Sequence, residues 1–210
     1  MLHGRDAAVL RDAEDTLLSQ GLSVSTARFD ITDEAATSEG IATVAAEHRR
    51  FDILVNNAGV TARAALLDAD TDGWRKVIEA DLTACFVAAR EAGRLMAAAG
   101  WGRIINIASV AGLLAAPGRV SYIAAKHGLI GLTRSLALEL GPKGVTSNAI
   151  APGFVATELN ADMRENASLD QWVKGRNPLG RWGAPADVAG AVVYLASPAA
   201  GFVNGAVLAI

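Results

Sequence analysis

The chain of 210 residues is 51% hydrophobic and 20% charged, which is enough apolar material for one well-buried domain and too much for a disordered chain. Its formal net charge of -3, with acids and bases interspersed, argues against a nucleic-acid or anionic-membrane partner. A single cysteine, Cys85, cannot form an internal disulfide, and no apolar run approaches the roughly 18 residues of a membrane span.

In chain order, Asp6 to Ser19 reads as an amphipathic helix with Val9, Ala13 and Leu17 on one stripe and Leu10 beside it, closed by Gly21. Early charges such as Arg5, Asp6, Arg11 and Asp12 interrupt any signal-like apolar segment, so a reducing, cytoplasmic setting is expected. Ser23 to Phe29 alternates as a strand that stops at Asp30. Thr32 or Asp33 then caps a helix that buries Ile41, Val44 and Ala45 and ends near His48. Phe51 to Val55 is a strand followed at once by Asn56-Asn57-Ala58-Gly59, small residues that let backbone approach a ligand. A long helix is predicted over 71–99, carrying Trp74, Val77, Ile78, Leu82, Phe86, Ala89 and Leu95. Strand 103–109, helix 121–140, a strand from Val145 to Ile150, an irregular segment from Phe154 to Gly183, a helix from Pro185 to Leu195 and a strand from Ala206 to Ile210 complete the chain. Alternation of strand and helix predicts one α/β domain over 1–210, a doubly wound parallel sheet with helices on both faces.

The run from Ser109 to Lys126 organises the chemistry. Arg103-Ile-Ile-Asn-Ile-Ala108 is apolar on both faces apart from Asn106, the pattern of a buried parallel strand, so Ser109 stands at a strand's carboxyl end. Tyr122 and Lys126 are four apart at the start of a helix and project about 40° from each other around its axis. A tyrosine that exchanges protons near neutrality needs its phenolate stabilised by about 4 kcal/mol, and an ammonium one turn away is the group placed to help. A hydroxyl, a phenol and an ammonium gathered at strand ends point to carbonyl chemistry.

Asn56-Asn57-Ala58-Gly59, Ser109 thirteen residues before Tyr122, Lys126 four after it, and Asn148-Ala-Ile-Ala-Pro152-Gly153 together resemble the short-chain dehydrogenase/reductase family. The resemblance covers nearly the whole chain and implies a Rossmann-like fold and an NAD(P)-dependent exchange between a secondary alcohol and a ketone. By that resemblance, Tyr122 passes the proton to or from the substrate oxygen, Lys126 favours its ionised form and holds the nicotinamide ribose, and Ser109 holds the reacting oxygen. Asn57, Ala58 and Gly59 lie against the adenine ribose and Asp30 at the adenine. Pro152, Gly153, Val155 and Thr157 face the nicotinamide amide. Arg5 follows Gly4, which occupies the place of an acid that would bind ribose hydroxyls, so NADP is favoured and NAD remains possible. No metal is implied.

Two departures accompany the resemblance. Asp81 stands where the family usually carries an asparagine in its proton relay, and an ionised carboxylate accepts hydrogen bonds but cannot donate them. The family's opening strand, glycine-rich turn and pyrophosphate-binding helix have no counterpart in Met1-Leu-His-Gly4-Arg5, which matches the segment just after the family's second strand. The expectation is therefore a piece of a longer protein, or a shortened one whose strand 51–55 keeps an unpaired edge. The substrate segment 154–183, read as a lid, carries Trp172, Lys174, Arg176, Arg181 and Trp182 and is similar to the gluconate 5-dehydrogenase-like branch, with 3-oxoacyl-carrier-protein reductases second. The implied partners are a small alcohol or ketone, with Lys174, Arg176 and Arg181 as candidates for a carboxylate, and further copies of the chain in a dimer or tetramer. A truncated, cofactor-less protein without enzyme activity is the alternative reading.

Overall fold

The computed structural model describes residues 1–210, the side chain of Leu159 excepted. Its strands are β1 (Leu2–Gly4), β2 (Thr26–Arg28), β3 (Ile53–Asn56), β4 (Gly102–Ile107), β5 (Val145–Ala151) and β6 (Val207–Ala209). The helices are α1 (Ala7–Ser19), α2 (Glu34–His48), α3 (Thr71–Ile78), α4 (Ala84–Ala99), α5 (Val120–Leu140), α6 (Ala161–Glu165), α7 (Ala167–Arg176) and α8 (Pro185–Ala196). All strand pairs are parallel, but they form two sheets: a pair β1-β2 and a four-stranded sheet in the order β3-β4-β5-β6.

The four-stranded sheet is covered on both faces. Ile104 of β4 and Val145 of β5 pack with Ala89, Ala92 and Met96 of α4, and Ala149 packs with Leu129 and Ile130 of α5. Ile105 and Ile150 point the other way, onto Leu195 of α8 and Ala200. Successive residues of a strand face opposite sides, so two covered faces demand the continuous apolar run seen at 103–108. Burying each such side chain contributes about 1.5–3 kcal/mol relative to leaving it exposed.

Asn106, the polar residue in that run, has a place. It accepts from the Asn56 amide at 2.8 Å and donates to Thr133 Oγ1 at 2.9 Å, while Thr133 donates to Leu129 O at 2.7 Å. The chain of bonds ties β3, β4 and α5 together, and a one-residue slip of Asn56 against Asn106 would leave buried amides without partners.

Four expectations need correction. Strand 23–29 shrinks to Thr26–Arg28, and Leu2–Gly4, unassigned in the sequence, is the strand that pairs with it. On α1 it is Leu10 that is buried, whereas Val9 is 66% exposed, because the helix is rotated from the predicted stripe. The helix over 71–99 is continuous but contains a π-helical turn at Glu79–Thr83. The sheet expected as one is split. The edge of β3 is unpaired among the described residues, with Ile53 44% and Val55 39% exposed. No helix among the described residues is long and apolar enough to cross a membrane.

Candidate active site

Ser109 leaves the end of β4 in extended backbone and begins the short 3₁₀ turn Val110–Gly112. Its Oγ accepts from Ala111 N at 3.1 Å, which leaves the hydroxyl proton free to donate outward. The turn lies directly on α5: a Cβ on Gly112 would stand 2.7 Å from Lys126 O, so only glycine allows this approach. Tyr122, in the first turn of α5, and Ser109 line the same cavity of about 670 Å³.

Lys126 is buried, its Nζ 5.5 Å from the centre of the Tyr122 ring. The ammonium is held from the inner side. It donates to Ile107 O at 3.1 Å and meets Asp81 Oδ2 at 3.1 Å. Asp81 is fully buried in the π-helical turn, and its Oδ1 accepts from Val60 N at 2.7 Å. Oδ2 has no aligned hydrogen-bond donor, so its approach to Nζ is a charge contact. The π-turn widens the helix by one residue and aims Asp81 inward, a placement for which π-turns are often retained. The pair carries no net charge, and Lys126 is not part of the cavity wall. Beside it, burial raises the Cys85 thiol to about 11, so it stays protonated and acts as a small apolar side chain.

The remaining expected cofactor residues fall into two groups. Asn57, Pro152, Gly153, Val155 and Thr157 line the cavity, and Ala58 and Gly59 continue from Asn57 beyond the end of β3. Arg5 and Asp30 follow β1 and β2 and meet each other at 3.8 Å, both exposed and neither on the cavity wall. Hydrogen bonds from Thr32 N and Oγ1 hold the Asp30 carboxyl below the usual range.

A nicotinamide ring fits this site in one respect that the structure itself supplies: a mostly apolar cavity lined by both Ser109 and Tyr122, with the buried Thr61 Oγ1 lacking a protein partner. Asp6 caps α1 by accepting from Ala8 N and Val9 N, so the first donors of that helix are already taken. Among the described residues no group of three or more histidines, cysteines and acids is arranged to hold a metal ion.

The 154–183 segment closes on itself. Val155 and Gly183 bridge its two ends, and Phe154 stands edge-on to Trp172 at 5.6 Å and to Trp182 at 5.7 Å. Of its three candidate carboxylate readers, Lys174 pairs with Asp170 at 2.6 Å and Arg181 with Asp187 at 2.7 Å. Arg181 and the Ala184 amide hold the Asp187 carboxyl down to about 2. Arg176 alone of the three lines the cavity, 4.8 Å over the Trp172 ring. Two arginines that the sequence reading passed over, Arg63 and Arg119, also stand on the cavity wall. The signal for Arg119 was available, since it lies three residues before Tyr122.

A family described as Enoyl-(Acyl carrier protein) reductase matches residues 4–210. The gluconate 5-dehydrogenase of Gluconobacter oxydans (strain 621H) is 37% identical over 210 residues, which is 100% of this chain and 82% of that protein. A 3-oxoacyl-[acyl-carrier-protein] reductase of Synechocystis sp. is 38% identical over 190 residues, 90% of this chain and 75% of that protein. Among solved structures, a gluconate 5-dehydrogenase from Burkholderia cenocepacia J2315 in complex with NADP and tartrate superposes with a TM-score of 0.93 at 35% identity, covering 100% of this chain and 82% of that one. With its parallel sheet, its strand-end serine and its Tyr122–Lys126 helix turn, this chain belongs to the short-chain dehydrogenase/reductase family of oxidoreductases.

Proposed function

We propose that the protein interconverts a secondary alcohol and a ketone with NADP, Tyr122 acting as the acid/base. The observation that carries this is that Ser109 and Tyr122 line one cavity, with the Lys126 ammonium 5.5 Å from the centre of the Tyr122 ring. A bound nicotinamide would supply the hydride exchange with the alcohol or ketone carbon. Ser109 donates its free proton to the reacting oxygen and holds it. In the oxidative direction Tyr122 receives the hydroxyl proton, and in the reductive direction it returns it, so charge does not build up on the oxygen. The Asp81 contact and Ile107 O fix the Lys126 ammonium in place beside the Tyr122 ring.

Asn57, Ala58, Gly59, Tyr122, Pro152, Gly153, Val155 and Thr157 would hold the cofactor, with Lys126 behind Tyr122 and Arg5 and Asp30 at the adenosine end. Arg5 presents a guanidinium suited to a 2′-phosphate, which supports NADP over NAD. The 154–183 segment serves as the lid, and a sugar acid or polyol as substrate is supported by the likeness to gluconate 5-dehydrogenases. Reduction of 3-oxoacyl thioesters is the second reading, favoured by the likeness to 3-oxoacyl-[acyl-carrier-protein] reductases. The exposed Phe86 and Leu95 of α4 and Leu138 of α5 support an assembly of copies through these helices, and the free, buried Cys85 suits a reducing, cytoplasmic setting.

The test is to follow NADPH formation from gluconate, and NADPH loss with acetoacetyl thioesters, in the parent and in Tyr122→Phe. Turnover in the parent that falls below a hundredth in the variant supports the assignment. Retention above a tenth contradicts it.

A further inference from the structure

Arg119 is a cation on the cavity wall for which the structure shows no acidic partner. Among the described residues it makes no ion pair; its Nη2 lies 3.9 Å from the Met163 sulfur. Arg63 reaches the same sulfur at 3.5 Å and is paired with Asp162 at 3.0 Å. Two guanidinium groups facing one carboxylate leave one positive charge at this end of the cavity. Burial, with Arg63 nearby, pushes the Arg119 pKa down, while Tyr122 and Asp162 oppose that shift. A partly buried cation without an acidic partner gains from an anion that joins it.

The backbone around Arg119 is held in place. Gly118 has a positive φ of 74°, which suits glycine, and it turns the chain into α5. Ala64 pairs with Arg119 in an isolated bridge and donates to Gly118 O at 3.2 Å, pinning the Arg63 loop beside it. Arg119 thus starts the helix that carries Tyr122 three residues later, and both line one cavity.

We propose that Arg119, with Arg63 beside it, binds a carboxylate of the substrate, so that the protein acts on hydroxy acids and the matching oxo acids; this rests on Tyr122 being the acid/base. One net charge matches a carboxylate better than a phosphate dianion. The planar fork of a guanidinium also suits two carboxylate oxygens at once. Arg176, the third arginine on the wall, is stacked on Trp172 and serves less well.

The test compares hydroxy acids with their uncharged amides: gluconate with gluconamide, 3-hydroxybutyrate with 3-hydroxybutyramide, and 4-hydroxycyclohexanecarboxylate with its amide. The full chain and its Arg119→Gln and Arg119→Lys variants are used, with NADP for turnover. Binding to the cofactor-free protein is followed separately through tryptophan fluorescence. At least one acid should be preferred over its amide by tenfold or more. Arg119→Gln should cut that acid's kcat/KM and its binding about 10- to 100-fold, chiefly through KM, leave the amide within threefold, and be partly rescued by Arg119→Lys. No acid preferred over its amide, or acid and amide lost equally in Arg119→Gln, overturns the proposal. Arg119-dependent binding of an acid without turnover upholds the carboxylate site and overturns the claim that the protein acts on that acid.

Discussion

The N-terminal unit of β1, α1, β2 and α2 and the four-stranded sheet beyond it are built to different standards. Every residue of β5 is buried, whereas neither β1 nor β2 has a buried residue, and α1 contributes Leu10 alone. The first unit is attached through α2, which packs on α4 and receives an ion pair from Arg90 to Glu34 at 2.7 Å. Within it, local contacts stand in for a core. Gly40 admits the Phe29 ring where a Cβ would be 2.3 Å away, and His3 stacks on that ring and bonds to Phe29 O at 3.0 Å. The proposed reacting groups, Ser109, Tyr122 and Lys126, all belong to the dense region; Arg5 and Asp30 belong to the sparse one. The division teaches that proton transfer and cofactor choice rest on separate foundations, so damage to one should leave the other nearly intact.

The largest effect expected is within the dense region. Asp81→Ala strands the Lys126 ammonium in the core and should cost about 3–5 kcal/mol in urea unfolding, the usual penalty for removing one member of a buried pair. Asp81→Asn should cost less, because its amide oxygen still accepts from Val60 N. Matched truncations sharpen the contrast. Ile104→Ala, at a fully buried site, should lose about 2–5 kcal/mol, and Leu10→Ala should fall at or below the low end of that range. Hydrogen exchange should place the Ile104 loss across β4 and the Leu10 loss within β1 and α1 only.

Cofactor choice comes next in size. Arg5→Ala should weaken NADP more than NAD by roughly 1–3 kcal/mol, read from nicotinamide fluorescence, without altering turnover at saturating cofactor. Equal weakening of both cofactors would remove Arg5 as the reader of the 2′-phosphate.

The smallest effect concerns pH. Partial desolvation against Phe29 holds the His3 pKa below the ordinary histidine value, although the side chain stays in part exposed, and its bond to Phe29 O and the nearby Asp30 oppose the shift. The unfolded chain therefore takes up the proton first, and the stability that neutral His3 contributes is present above pH about 6.5 and lost as pH falls toward the folded pKa. Exchange protection in β1 and β2 should drop between pH 7.5 and 5.5 while that in β4 does not, and His3→Gln should remove the difference.

The dense region was the legible one. A strand buried on both faces reads as a nearly continuous apolar run, so 103–108 could be placed within a residue or two, and Ser109 with it; 145–150, which carries Thr146, Ser147 and Asn148, was bounded instead by Gly141-Pro142 before it and Pro152-Gly153 after it. Tyr122 and Lys126 followed from a four-residue spacing, and Gly21 and Asp33 marked helix ends by their own backbone and side-chain chemistry. The sparse region resisted because Leu2–Gly4 is too short for a pattern and α1 has apolar residues on more than one face. Nothing in local spacing announces the π-turn, which arises from the tertiary demand that Asp81 reach Lys126 and Val60. Arg63 and Arg119 lie 56 residues apart in sequence and meet only through the bridge between Ala64 and Arg119.

The central claim is that the Tyr122 hydroxyl carries the proton in a site the dense region holds ready, and Tyr122→Phe tests it most directly. Single-turnover reduction should be measured beside NADPH binding and urea unfolding on the same sample. The expected result is turnover below a hundredth of the parent's, with cofactor affinity within threefold and an unchanged unfolding midpoint. Turnover above a tenth of the parent's, with binding and stability preserved, would contradict it and move the acid/base role to another residue.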